Sequence, residues 1–188
     1  MNIEKEKRAI KYLQSFEPQD EPYYLCYSGG KDSDVIRILA SLAGVKHDIV
    51  NNHTTVDAPE TVRYIRSIPG VHIKYPELSM WELIVKKKMP PTRLMRYCCE
   101  ELKEQGGKGR IKITGVRWEE SANRAESAGL VRIIGKPKSV QKVAEENGAD
   151  FFENKQGGTI LNTDNAASRK VVETCYRTTS LMVNPIVD

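Results

Sequence analysis

The sequence predicts an α/β protein: a Rossmann-like parallel sheet with helices on both faces, plus a small inserted hairpin. Three observations carry that expectation. Short apolar runs alternate with segments of helical periodicity from residue 23 to residue 113. The first of those runs is followed at once by paired glycines and a helix start, "YYLCYSGGKDSDV". Hydrophobic residues make up 39% and charged residues 29% of 188 residues, the balance of one ordinary folded domain with one core.

The elements follow in order. Ala9, Leu13 and Phe16 recur at helical spacing and predict a first helix that ends before Pro18. "YYLCYS" predicts a buried strand. From Ser33 onward, Val35, Ile36, Leu39 and Leu42 make one apolar stripe that stops at Gly44. "HDIVNN" predicts the next strand, and "DAPE" opens a helix whose Val62, Ile65 and Ile68 face inward up to Pro69-Gly70. "VHIKY" predicts a third strand. A helix over Met80 to Lys88 follows, broken at Pro90-Pro91, and another runs from Leu94 to Gln105 until Gly106-Gly107. "RIKITGVR" alternates around Ile111 and Ile113 and predicts the clearest strand of all.

After Arg124 the pattern changes. "LVRIIGK", a helix near Val140 to Asn147, and "FFENKQGGTILNTD" with its Gly157-Gly158 turn predict an insertion over residues 126–170. "LMVNPIVD" predicts one more strand, and the whole of 1–188 is expected to be a single domain.

The net charge of +4 suits a small anionic ligand and is too mild to argue for nucleic acid. "MNIEKEKRAIKYL" lacks an apolar signal core, and the apolar runs are too short for a membrane span. A cytoplasmic protein without a membrane partner is expected. In that compartment Cys26, Cys98, Cys99 and Cys175 are expected to be thiols, metal ligands or catalytic groups. His47, His53 and His72 show no zinc-binding spacing.

"SGGKDS" is the first segment with chemistry to offer. A strand, a glycine loop and a helix N-terminus bring several backbone N–H donors to one point, where the helix dipole favours an anion. Gly29 and Gly30 remove the Cβ atoms that would keep an oxyanion away, Lys31 adds a point charge, and Ser28 and Ser33 add hydroxyls. The spacing is neither that of a Walker A loop nor G-x-G-x-x-G. The plain alternative is a glycine turn with Asp32 or Ser33 as helix N-cap. In "DAPET", Asp57 and Glu60 have the spacing of a capping box, with Pro59 in the first turn.

In "RLMRYCCEELK", α-helical winding would bring Arg96, Cys99 and Lys103 to one side, a cationic face suited to phosphate or sulfate and to a reactive thiol. "GVRWEESANR" sits at the carboxyl end of its strand, where open α/β sheets bind ligands. The plain reading of Arg117 and Arg124 there is surface pairing with Glu119, Glu120 or Glu126. Trp118 offers a stacking or packing surface.

Five strings in order, "SGGKDS", "DAPET", "RYCCEELK", "GVRWEESANR" and "NPIVD", run from residue 28 to the last residue. Together they resemble the PP-loop proteins of the adenine nucleotide α-hydrolase-like superfamily and, within it, the phosphoadenosine phosphosulfate reductase family. The resemblance implies a nucleotide site made by Ser28, Gly29, Gly30, Lys31, Asp32 and Ser33 with Arg96, Lys103, Gly115, Arg117 and Arg124. The implied ligand is an adenine nucleotide: phosphoadenosine phosphosulfate (PAPS), adenosine phosphosulfate (APS) or ATP. The implied reaction is thiol-dependent reduction of activated sulfate to sulfite, with a thioredoxin-like thiol donor as partner.

In the cluster-bearing branch of that family an adjacent Cys-Cys supplies two ligands to a 4Fe–4S centre, the implied role of Cys98 and Cys99. The later Cys-x-x-Cys of that branch has no counterpart here, nor does the family's nucleophilic Glu-Cys-Gly-Leu-His segment. The catalytic residue is therefore unassigned, and the 188 residues are expected to be a C-terminally incomplete core. His53 stands where many of these reductases carry the Asp of an Asp-Thr-Gly. The same superfamily offers an alternative, an ATP pyrophosphatase that adenylates a substrate with Mg²⁺, as in sulfur transfer or DNA phosphorothioation. A non-catalytic nucleotide- or partner-binding remnant is a third reading, and a homo-oligomer stays open.

Overall fold

Residues 3–104, 106–117, 129–135, 137–153 and 158–186 are described by the computed structural model. Among them eight strands form one sheet: β1 (Tyr23–Cys26), β2 (His47–Asn52), β3 (Val71–Lys74), β4 (Ile111–Ile113), β5 (Val131–Ile134), β6 (Phe152–Glu153), β7 (Thr159–Leu161) and β8 (Ser180–Val183). Their order across the sheet is β3-β2-β1-β4-β8-β5-β7-β6. The first five in that order are mutually parallel, with Leu25 opposite Ile49 and Ile113, and Ile113 opposite Val183. β5 then pairs antiparallel with β8 and with β7, and β6 pairs antiparallel with β7.

The expected α/β architecture is present, in a mostly parallel sheet with antiparallel strands at one side. The segment over 126–170 adds its strands to the edge of the same sheet through β8. "FFENKQGGTILNTD" forms the expected hairpin, β6 against β7, while residues 154–157 of its turn lie outside the described residues.

Helices α1 (Ile3–Ser15), α2 (Lys31–Ala43), α3 (Pro59–Ser67), α4 (Met80–Lys87), α5 (Pro137–Glu146) and α6 (Ala166–Cys175) flank the sheet. Ala9 and Leu13 of α1, Ile36, Leu39 and Ala40 of α2, and Val171, Val172 and Cys175 of α6 join one core cluster with Leu25, Ile113, Leu181 and Val183 of the strands. The buried stripe of α2 is Ile36, Leu39, Ala40 and Ala43, whereas the expected members Val35 and Leu42 are exposed. Two alanines carry the inner face because α2 packs closely on α1 and β1. Gly44 ends α2 in the left-handed conformation, as expected.

The remaining departures are local. A helix over 166–175 was not expected; Asn165 caps it by accepting from the Ser168 amide. α4 begins with a capping box in which Ser79 and Glu82 bond each other's backbone. The expected helix over 94–105 is instead a short turn from residue 97 that becomes π-helical over Cys99–Lys103, with the Glu104 amide reaching back to the Cys99 carbonyl at 3.0 Å. No helix among the described residues is long and apolar enough to cross a membrane.

Candidate functional site

Strand order reverses between β1 and β4: β2 and β3 lie to one side of β1, and β4 and β8 to the other. The carboxyl ends of β1 and β4 therefore open on a crevice, the position at which parallel α/β sheets receive ligands. Residues 27–33 and 114–117 meet there.

The loop after β1 is held by its own side chains. Gly29 has φ +75, the left-handed region, and a Cβ there would lie 2.8 Å from Ile65 Cγ1 of α3. Glycine is required on both counts, conformation and space. Gly30 is the residue that caps α2, with extended backbone and no side-chain cap bond, so neither Asp32 nor Ser33 is the N-cap. Ser28 Oγ accepts from the Gly30 amide at 3.4 Å and donates to Ser33 Oγ at 3.3 Å. Ser33 is buried and its hydroxyl donates to the Gly30 carbonyl at 2.7 Å, which makes it a brace of the loop from inside.

The first bond of α2 runs from the Asp34 amide to the Gly30 carbonyl at 3.0 Å. The amides of Lys31, Asp32 and Ser33 precede that bond and have no acceptor within the helix. Together with the exposed Lys31 they form a cluster of donors at the positive end of a 13-residue helix.

β4 delivers its exit residues to the same point. A Cβ on Gly115 would lie 3.2 Å from both the carbonyl oxygen and Cβ of Asp32, so the two loops run in contact. Arg117 Nε lies 3.2 Å from Asp32 Oδ1. Asn184 fixes the end of β4 from the other side. It is 2% exposed, bonds the Thr114 hydroxyl through its side-chain oxygen, and donates from its side-chain nitrogen to the Gly129 carbonyl at 2.8 Å. "NPIVD" thus contributes a buried tie beneath the crevice.

Ser28, Gly29, Gly30, Lys31, Asp32, Ser33, Gly115 and Arg117 are therefore brought together. Arg124 and Trp118 lie outside the described residues. Arg96, Cys98, Cys99 and Lys103 lie in a stretch anchored on β2 and α4. Asn52 Nδ2 donates to the Lys103 carbonyl at 2.7 Å, and Lys87 bridges to Glu101 at 3.4 Å. The expected neighbourhood of Arg96 and Cys99 is realised, with Arg96 donating to the Cys99 sulfur at 3.3 Å.

Cys98 and Cys99 are free, half-buried thiols. Among the described residues no three His, Cys, Asp or Glu side chains converge as metal ligands. Cys175 is buried in α6, and burial pushes the Cys26 thiol at the end of β1 up to about 11, with Lys112 pulling the other way.

Asp57 does not cap α3. Its carboxylate accepts from the Thr54 amide at 3.0 Å and lies 3.4 Å from His53 Nδ1, while Ala58 holds the cap position without a side-chain bond. His53 stands edge-on to the Tyr75 ring. Pro59 does occupy the first helical turn, and Glu60 pairs with Arg63 instead of reaching back. A cavity of about 320 Å³ lies beside Tyr75, between Leu83 and Leu102. Another of about 230 Å³ lies by Phe16 and Tyr176. Neither is lined by the loop after β1.

Sequence reasoning missed one further group. Asp34 accepts from the Tyr27 hydroxyl at 2.8 Å and from the Tyr64 hydroxyl at 2.7 Å. Its spacing to Tyr64 across two elements carries no local signal.

No family model matches the chain, and no curated protein matches it.

Proposed function

We propose that this chain is the adenine-nucleotide-binding domain of a sulfonucleotide reductase-like enzyme acting on PAPS or APS. The observation that carries the reading is the open amide cluster at Gly29–Ser33 with Arg117 delivered to it from across the switch point. Such a cluster suits the phosphosulfate end of a nucleotide: amide donors and Lys31 hold the oxygens, and Arg117 exchanges Asp32 for the ligand. Its contribution to catalysis is positioning and charge neutralisation.

In the reaction this supports, a thiolate attacks the sulfur of the sulfonucleotide. The S–O bond breaks and the nucleotide leaves with the bonding pair, leaving a thiosulfonate. A second thiol, from a thioredoxin-like donor, then displaces sulfite and leaves a disulfide. Free thiols throughout the chain suit a reducing, cytoplasmic setting.

Gly30 favours a second reading. "SGGKDS" with its second glycine resembles the common spelling in ATP pyrophosphatases, where the loop would hold the β,γ-phosphates of ATP with Mg²⁺.

Binding and turnover separate these readings. Lys31→Ala and Arg117→Ala are each expected to weaken binding of APS or PAPS by about tenfold, measured by calorimetry. Unchanged affinity in both variants removes the cradle from the nucleotide site. Sulfite release from PAPS or APS with a dithiol supports the reductase, whereas pyrophosphate release from ATP with Mg²⁺ overturns it in favour of the second reading.

A further inference from the structure

The first turn of α2 carries two carboxylates, Asp32 and Asp34, beside the terminus that is to receive an anion. Each is provided with partners. Asp32 has Arg117 at 3.2 Å. Asp34 has three groups from three places: the Tyr27 hydroxyl just past β1 at 2.8 Å, the Tyr64 hydroxyl of α3 at 2.7 Å, and Arg37 Nε one turn along α2 at 3.4 Å. Desolvation works against the Asp34 charge, but the hydrogen bonds from Tyr64, Tyr27 and Arg37 outweigh it and lower its pKa.

The geometry has a second side. α3 supplies Tyr64 to Asp34 and, from the adjacent residue, supplies Ile65 as the wall against which Gly29 packs. Thr61, one turn earlier on α3, completes that wall. The left-handed turn at Gly29 is therefore braced by a helix whose own seating is fastened to Asp34.

We infer that Asp34 is a positioning residue for the anion cradle. Through Tyr27 and Tyr64 it seats α3 against Gly29 and holds the loop amides in their binding arrangement. The inference rests on the reading of this loop as a nucleotide-phosphate site. It also makes a prediction opposite in sign to simple electrostatics. Removing a carboxylate beside an anion site should tighten anion binding if charge alone matters; removing the clamp loosens it.

The test is calorimetric titration of the chain and its variants with ATP, replaced throughout by APS or PAPS if the wild type binds only those, and with adenosine, alongside thermal unfolding. Asp34→Ala is expected to weaken ATP binding about fivefold or more, the loss typical of a charged hydrogen-bonding group, and to leave adenosine binding unchanged. Tyr64→Phe, at a residue 41% exposed and therefore tolerant of the change, is expected to weaken ATP binding about twofold to threefold. ATP binding that is unchanged or tighter in Asp34→Ala overturns the clamp. So do equal losses for ATP and adenosine, which mark general damage to the fold. If Asp34→Ala does not fold, Tyr64→Phe decides by the same ATP-to-adenosine comparison. A wild-type chain that binds no ATP, APS or PAPS overturns the nucleotide reading beneath the inference. Wild-type ATP binding that Lys31→Ala weakens and Tyr64→Phe leaves untouched overturns the clamp alone.

Discussion

Tyr24 and Leu25 are neighbours in β1, yet they belong to faces of the sheet with different chemistry. The Leu25 face continues through Ile113, Val183 and Val131, all buried, and packs on α1, α2 and α6. The Tyr24 face continues through Lys112, Met182 and Arg132. Tyr24 donates to Asn52 Oδ1 at 3.3 Å, and Gly106 and Gly107 pass so close to its ring that neither could carry a side chain. Lys112 is only 6% exposed, with its ammonium on the Ser180 hydroxyl at 3.2 Å. The first face gains stability from apolar burial; the second accepts the cost of dehydrating polar groups and specifies how the 96–110 segment lies.

Three substitutions break or sharpen that contrast, and chemical denaturation measures all of them. Leu25→Ala is expected to lower stability by about 3 kcal/mol, the usual cost of emptying a fully buried leucine site. Tyr24→Phe, one residue away, is expected to lose about 1 kcal/mol, because it removes one hydroxyl bond and leaves the packing in place. A loss as large as that of Leu25→Ala would erase the distinction between the faces. Lys112→Met is expected to change stability at pH 7 by about 1 kcal/mol or less, since relief from burying a cation offsets the lost contact with Ser180.

The larger sign of Lys112→Met lies in its pH dependence. Burial lowers the Lys112 pKa against the pull of Cys26 and Glu104, so the unfolded chain binds a proton that the folded chain has released. Wild-type stability should therefore rise, relative to the variant, as pH climbs from that lowered value into the ordinary lysine range. A flat difference between the two proteins across that interval would show that Lys112 is solvated.

The same contrast explains what the sequence disclosed. The strands of the Leu25 face stood out because inward-facing residues on a parallel sheet are short runs of Leu, Ile and Val closed by glycine or a helix start. The crevice was legible for the same reason, as a glycine pair directly after such a run. Packing detail was not. Ala40 and Ala43 line the inner face of α2 while Val35 and Leu42 point out, because hydropathy ranks the larger residues first and close helix packing prefers the smaller. α6 was hidden by polar residues among Val171, Val172 and Cys175, although Asn165 was available as a capping signal. The π-helical turn spans only Cys99–Lys103, too short a stretch to show a period of its own. Asp34 and Tyr64 are thirty positions apart, and only the tertiary fold makes them partners.

The place of β8 has a consequence for the order in which the protein assembles. It is the last strand described, yet it lies in the interior of the sheet and, among the described residues, joins the parallel strands to the antiparallel ones. Until residues 180–183 emerge and dock, β4 and β5 each present an unpaired edge, and Asn184 has not yet joined Thr114 to Gly129. Pairings that span about seventy residues close slowly. A nascent chain paused short of residue 180 thus lacks the strand that covers both borders, a condition that favours strand exchange and aggregation.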